Sequence, residues 1–86
     1  MNFTENTSEL QQFDSQHHLH PFTDPKVLLK DGARVITRAD GIYLWDSNGE
    51  KILDAMAGLW CVNVGYGREN LAKVAYEQLQ VLPYYN

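Results

Sequence analysis

Residues 33–54, which read ARVITRADGIYLWDSNGEKILD, decide the fold of this chain. The stretch contains three runs typical of β-strands, which we predict at Ala33–Arg38, Ile42–Asp46 and Lys51–Asp54. Two hairpin signals separate the runs, Asp40-Gly41 and Asn48-Gly49. The sequence therefore predicts a three-stranded antiparallel meander. So small a sheet must place its apolar face against another part of a protein.

The stretch that follows, Leu53–Arg68, reads LDAMAGLWCVNVGYGR and fits neither the helical nor the strand period. An apolar, irregular run that glycines interrupt is typical of a backbone that closely approaches a ligand or another chain. Trp60 in this run has two interpretations, a core residue or a rigid pocket wall. Phe22 lies on a proline-bounded loop and is open to the same second interpretation. These residues indicate the edge of a pocket but no particular reaction.

The N-terminal part of the chain predicts a tail and a helix. We expect Met1–Thr7 to form a disordered polar tail without the features of a secretory signal. Ser8 and Gln11 have the spacing of a capping box, which predicts that the helix starts at Ser8. The helix is expected to end within the histidine-rich run before Pro21, because the residue before a proline avoids the helical region.

Two further helices are predicted, one on each side of the sheet in the sequence. Asp24 is expected to cap a short helix that closes at Gly32. Apolar residues recur at helical spacing over Glu69–Leu82, which predicts an amphipathic helix that Pro83 ends. The sequence then finishes on Tyr84-Tyr85-Asn86, and two aromatic residues at a terminus suggest that the natural chain continues.

Composition restricts the function further. The chain has 86 residues and a formal charge of −4, so it is one small domain at most. Cys61 is its only cysteine, which excludes an internal disulfide and suits a reducing compartment, so we expect a cytoplasmic protein. Acidic residues outnumber basic ones, so the sequence lacks the basic surface that is typical of nucleic-acid-binding proteins. No run approaches the about 20 apolar residues that a membrane span requires.

Three groups of residues could carry chemistry, and each has a simpler structural role. His17, His18 and His20 could bind a metal, but their spacing matches no closed zinc site, and structural roles are favoured. The glycines Gly58, Gly65 and Gly67 do not complete a phosphate-binding fingerprint, so turn geometry is favoured. Cys61 has no basic neighbour in the sequence, and we expect a buried, inert thiol. We therefore predict no metal site.

The chain as a whole resembles the N-terminal region of class III pyridoxal-phosphate aminotransferases. Within them it is most similar to the ω-amino acid or amine:pyruvate branch. Four runs carry the resemblance, in order and without gaps: His17–Thr23 (HHLHPFT), Tyr43–Asp46 (YLWD), Leu53–Gly67 (LDAMAGLWCVNVGYG) and Leu82–Asn86 (LPYYN). Ala55 departs from the pattern, since many relatives have glycine there, and this conservative change could affect the loop.

The resemblance implies a fold-type I enzyme that works as a homodimer with its active sites at the subunit interface. This chain would be an α+β N-terminal segment of that α/β fold: helix, short helix, three-stranded antiparallel meander and helix. Residues 1–16 would form the tail and first helix, and 17–86 a small-domain segment leading into a large cofactor domain that this chain lacks. Phe22, Leu59 and Trp60 match positions that line the substrate pocket in such enzymes.

The same resemblance implies transfer of an amino group from an amine or ω-amino acid to pyruvate through pyridoxal phosphate. The Schiff-base lysine, the acid facing the pyridine nitrogen and the phosphate-binding backbone would all lie beyond Asn86. We therefore expect neither catalytic nor cofactor-binding residues in this chain, and no activity from the chain alone. β-Alanine, polyamines and aromatic amines all remain open as donors. The alternative is a non-catalytic module that binds a protein through Trp60, Tyr84 and Tyr85.

Overall fold

The structure is a computed structural model that describes residues 6–86; the first five residues of the predicted tail lie outside the described part. Seven elements follow one another along the chain: α1 (Thr7–His17), α2 (Pro25–Asp31), β1 (Ile36–Asp40), β2 (Tyr43–Asp46), β3 (Lys51–Leu53), α3 (Ala57–Trp60) and α4 (Glu69–Val81). No helix in this part of the chain is long and apolar enough to cross a bilayer.

The three strands form one sheet in the order β1-β2-β3, so the predicted meander is confirmed. β1 begins three residues later than predicted, although the Val35 carbonyl just before it still accepts a hydrogen bond from the Ser47 N–H (2.8 Å). The turn between β2 and β3 forms around the buried Asp46. The Asp46 carboxylate accepts from the backbone N–H groups of Asn48 and Glu50, both at 2.9 Å.

The predicted capping box of α1 is wrong. Asn6 is the N-cap, and its side-chain oxygen accepts from the backbone N–H of Ser8 (3.0 Å). The helix therefore begins one residue before Ser8. Gln11 does not reach back to the helix start, because its amide donates to the Ala33 carbonyl (2.9 Å) and holds α1 against the chain before β1. The predicted end before Pro21 is confirmed, since α1 ends at His17.

The other helix boundaries agree with the sequence. Asp24 caps α2 by accepting from the Lys26 N–H (2.9 Å), and Gly32 closes it with a φ of 77°. α4 ends at Val81, one residue before the predicted end. These boundaries depend on local backbone chemistry, which is why residue type alone could predict them.

The chain divides into two compact units, Met1–Arg38 with Leu44–Ile52, and Ala39–Tyr43 with Leu53–Asn86. Among the described residues, the buried side chains are those of Ala33 and Asp46, both in the first unit. The apolar residues of α4 in the second unit remain exposed, as Leu79 shows at 58%. The predicted division between residues 16 and 17 stays a prediction.

Candidate functional site

The irregular segment after β3 contains a backbone conformation that side chains rarely adopt. All four residues of α3 have positive φ: 49° at Ala57, 58° at Gly58, 62° at Leu59 and 70° at Trp60. Hydrogen bonds close the turn, from the Trp60 N–H to the Met56 carbonyl (3.0 Å) and from the Cys61 N–H to the Ala57 carbonyl (2.9 Å). α3 is therefore one turn of left-handed helix. For residues other than glycine this costs about 1–2 kcal/mol each.

The left-handed turn presents its last two side chains to the surroundings. Trp60 is 85% exposed and Leu59 is 58% exposed. Trp60 forms a wall of an apolar cavity of about 320 Å³, whose other lining residues are Ala55, Met56, Ala57 and Asn63. Asn63 is the one polar side chain in that lining. Strained backbone of this kind is concentrated at ligand-binding positions, so the geometry supports the pocket-wall interpretation of Trp60.

A carboxylate and a phenol lie directly behind the turn. The Asp54 carboxylate accepts from the Tyr66 hydroxyl (2.6 Å) and from the Gly58 N–H (2.8 Å). The hydrogen bond from Tyr66, with help from the N–H of Gly58, lowers the pKa of Asp54 below its ordinary 3.8. The same bond raises the pKa of Tyr66 above 10.0, and partial burial adds to the shift. At neutral pH the charged Asp54 carboxylate therefore accepts a hydrogen bond from the neutral Tyr66 hydroxyl.

Close approach accounts for two of the glycines in this segment. A Cβ at Gly58 would lie 2.7 Å from Val62 Cγ2 and 3.1 Å from the Tyr66 hydroxyl. A Cβ at Gly65 would lie 2.9 Å from the carbonyl oxygen of Gly41, whose backbone pairs with Tyr66. These contacts favour the turn interpretation of the glycines over a phosphate-binding loop.

The three predicted substrate residues fall in different places. Leu59 and Trp60 are adjacent on the left-handed turn of the second unit, but only Trp60 is among the residues that line the cavity. Phe22 belongs to the first unit, where it lies fully exposed on the loop between α1 and α2. Phe22 also has a positive φ, 52°, so its backbone is strained as well. Contact of all three with a substrate stays a prediction.

Two other expectations concern Cys61 and the histidine cluster. The prediction of a buried thiol is wrong, because the left-handed turn leaves Cys61 exposed, with its Sγ 3.3 Å from the Leu59 carbonyl. His20 Nε2 lies 2.7 Å from both carboxylate oxygens of Asp14, and its ring packs edge-on against His18. Within residues 6–86, no three potential ligands are grouped so as to hold a metal ion.

Sequence reasoning missed Asp54, Tyr66 and Asn63. A local signal for Asp54 exists, because its carboxylate accepts from the N–H of Met56 two residues on (3.2 Å), the pattern of an Asx-turn. Tyr66 has no such signal, since its partner lies twelve residues earlier in the chain. Asn63 could be recognised as a cavity-lining residue only after the conformation of the turn was known.

Comparison with known proteins defines the class. The sequence profile of class-III aminotransferases matches residues 29–86. The chain therefore belongs to the aminotransferase class-III family, and the resemblance is confirmed. This family depends on pyridoxal phosphate in general.

Among named relatives, the putrescine–pyruvate aminotransferase of Pseudomonas aeruginosa is 62% identical over 80 residues, which are 93% of this chain and 18% of the relative. The crystal structure of a thermostable (S)-enantioselective ω-transaminase from Thermomicrobium roseum is 43% identical with a TM-score of 0.85, and the match covers 94% of this chain and 18% of that one. The chain thus spans about a fifth of the length of these relatives.

A third match is a thermostable ω-transaminase with a tryptophan-to-glycine substitution, engineered for asymmetric synthesis of enantiopure bulky amines. It is 38% identical with a TM-score of 0.83, over 90% of this chain and 17% of that one. These matches confirm the predicted fold class, an α+β N-terminal segment of the transaminase fold.

The described residues do not fit pyridoxal phosphate by themselves. The cofactor needs a lysine amine for its Schiff base and donors for its phosphate. The residues that line the cavity at Trp60 include no lysine or arginine. Of the four lysines, Lys73 on α4 extends toward Glu77 (3.9 Å), and Lys51 lies over the Trp45 ring at 5.5 Å. The chain offers an apolar wall rather than a cofactor cradle.

Proposed function

We propose that this chain is the N-terminal part of an aminotransferase that uses pyridoxal phosphate. The enzyme would move an amino group from an amine or ω-amino acid to pyruvate. The relative that covers most of the chain at 62% identity is named for putrescine and pyruvate, which supports a diamine donor and pyruvate as the acceptor. Residues outside this chain would hold the cofactor, and the chain alone would be inactive.

The observation that carries the proposal is the left-handed turn with Trp60 in the wall of an apolar cavity. A large, rigid ring on strained backbone can limit the size of the amine substituent, since small differences in an apolar pocket discriminate between substrates. The tryptophan-to-glycine transaminase engineered for bulky amines supports this role for a tryptophan in the family. We propose that Trp60 has this role here, with Leu59 and Phe22 as further apolar contacts.

The same proposal includes the oligomeric state of the enzyme and its location in the cell. The exposed apolar side chains of Trp60, Leu79 and Tyr85 suit an enzyme that works as a homodimer and covers them by its own contacts. The single cysteine is consistent with the cytoplasm. The alternative, a non-catalytic interaction module, has no support among these relatives.

Substitution of Trp60 in the complete aminotransferase tests the proposal. We expect Trp60→Ala to raise kcat/KM for 1-phenylethylamine relative to putrescine by about tenfold, because a wall that limits substituent size is removed. Phe22→Ala should change the same ratio in the same direction. Bound cofactor, measured by its absorbance, should stay constant in both variants.

Val64→Ala is the matched control, because Val64 is an exposed apolar residue of the same segment that lies outside the cavity lining. It should leave the ratio of the two kcat/KM values unchanged. An equal effect of Trp60→Ala and Val64→Ala would refute the pocket assignment. Absence of transamination in the unsubstituted enzyme with every amine would refute the function itself.

A further inference from the structure

The left-handed turn Ala57–Trp60 requires support from its surroundings, because three of its four residues have a side chain that disfavours this backbone. Such a conformation persists only where surrounding contacts over-determine it. The side chains of Leu59 and Trp60 supply little of that support, because both are largely exposed. Beyond the backbone hydrogen bonds that close the turn, the support must come from groups behind it.

The carboxylate of Asp54 supplies it. One oxygen accepts from the Gly58 N–H (2.8 Å) inside the turn, and the other accepts from the Met56 N–H (3.2 Å) just before it. The first oxygen also accepts from the Tyr66 hydroxyl at 2.6 Å. One side chain thus connects the start of the turn, its second residue and a tyrosine that follows the turn.

The backbone of both partners is anchored to the connection between β1 and β2. The Asp54 N–H donates to the Ile42 carbonyl (2.9 Å). Tyr66 pairs with Gly41 through two backbone hydrogen bonds, of 2.7 and 3.1 Å. Asp54 and Tyr66 therefore form a fixed support against which the turn is held.

We propose that Asp54 and Tyr66 are positioning residues for substrate specificity, which set the place of the Trp60 wall by fixing the left-handed turn. The inference rests on the proposed function, because Trp60 must face an amine for its position to matter. Both residues act through the turn and not by contact with the substrate. A neutral phenol and a charged carboxylate at working pH are what this hydrogen bond requires, and the directions of both pKa shifts agree with it.

Tyr66→Phe in the complete enzyme tests the proposal, since it removes the hydroxyl and keeps the ring. With the wall released, we expect the ratio of kcat/KM for 1-phenylethylamine to that for putrescine to rise about tenfold, the equivalent of one hydrogen bond to a charged group. Asp54→Ala should raise it further. The double variant should match Asp54→Ala alone, because the two residues act as one unit.

Two further variants separate positioning from general stability. Tyr76→Phe is the matched control: the Tyr76 hydroxyl also takes part in a hydrogen bond, which it accepts from Gln80 Nε2 (3.0 Å) on the exposed surface of α4, away from the turn. It should leave the ratio unchanged. In a Trp60→Ala background, Tyr66→Phe should no longer alter the ratio, because the wall that it positions is gone.

The outcomes distinguish the inference from the proposed function. If the unsubstituted enzyme is active and Tyr66→Phe lowers kcat/KM equally for both amines, the pair is merely structural and the inference is overturned. An unchanged ratio in a Tyr66→Phe enzyme that folds also overturns it. If the Asp54→Ala enzyme does not fold, the comparison of Tyr66→Phe alone with Tyr66→Phe in the Trp60→Ala background still tests the inference. If the unsubstituted enzyme transfers no amino group, the proposed function fails and the inference with it.

Discussion

Gly58 is the residue at which the geometry of the turn is most restricted. Its φ of 58° favours glycine, and the space for a Cβ is already occupied by Val62 Cγ2 at 2.7 Å. Gly41 provides a comparison, because its φ of 56° is nearly the same while nothing lies within 4 Å of its would-be Cβ. A comparison of substitutions at the two positions therefore distinguishes the effect of backbone strain from the effect of steric crowding.

We predict that Gly58→Ala destabilises the protein more than Gly41→Ala. Both substitutions incur the left-handed penalty of about 1–2 kcal/mol, but only Gly58→Ala adds an overlap with a β-branched side chain. Thermal unfolding of the two variants of the complete aminotransferase, under identical conditions, measures the difference. Equal falls in Tm would show that Val62 moves freely and that the turn is less tightly packed than these distances indicate.

The residue scale also shows what the sequence could reveal about the site. Trp60 could be identified as a candidate pocket wall, because a tryptophan close to a glycine in an aperiodic run suits a rigid ring on closely approaching backbone. The hydrogen bond between Tyr66 and Asp54 could not be identified, because twelve residues separate them and only the folded turn brings them together. The exposure of Cys61 was wrongly predicted for the same reason: the left-handed turn decides which side chains face outward.

At the scale of elements, the segment from Asp54 to Tyr66 should respond to pH at both extremes. The pKa of Asp54 is lowered in the fold, so its stabilising contribution is present above pH 3.8 and is lost as the pH falls through the lower folded value. The pKa of Tyr66 is raised, so its contribution is present below pH 10.0 and is lost as the pH rises through the higher folded value.

We predict a plateau in the stability of the turn between these limits. The ultraviolet absorbance of phenolate, compared between the unsubstituted complete aminotransferase and its Tyr66→Phe variant, measures the alkaline limit. The difference curve should have its midpoint above pH 10.0. A midpoint at or below the ordinary tyrosine value would show that the hydroxyl does not donate to a carboxylate.

Elements differ in how far their own residues determine them. Asp24 and Gly32 delimit α2 through bonds within a few residues, and the sequence predicted both ends. The start of α1 was predicted wrongly, because Gln11 donates to Ala33, twenty-two residues away, instead of capping its own helix. Local rules succeed where the partners are local.

For the whole molecule, the distribution of exposed side chains is the main observation. Within residues 6–86, Ala33 is the one buried hydrophobic side chain, while large apolar residues such as Leu71, Val74 and Leu82 on and after α4 are more than half exposed. Apolar burial is the dominant favourable contribution to folding. The described chain therefore obtains little stability from a core of its own.

We predict that the 86-residue chain, expressed alone, unfolds without a cooperative transition and does not transaminate. Calorimetry and circular dichroism on heating measure the first property. Titration with pyridoxal phosphate measures cofactor binding, and we expect no stoichiometric absorbance band beyond that of surface lysines. The complete aminotransferase, measured alongside, is the control and should show both a transition and a bound cofactor. A sharp transition in the isolated chain would contradict this prediction.

Because Trp60 has a positive φ, a substitution that widens the cavity at this position can also change the strain of the backbone. A residue that forms a wall at φ 70° is strained, and glycine is the one replacement that removes both the ring and the strain. When glycine replaces Trp60, the backbone strain is released, and this gain in stability offsets part of the loss that comes from removing the ring. Alanine would open the same space and keep the strain. If Trp60 faces the amine as proposed, substrate range can evolve here through glycine with a smaller loss of stability than at an ordinary wall residue.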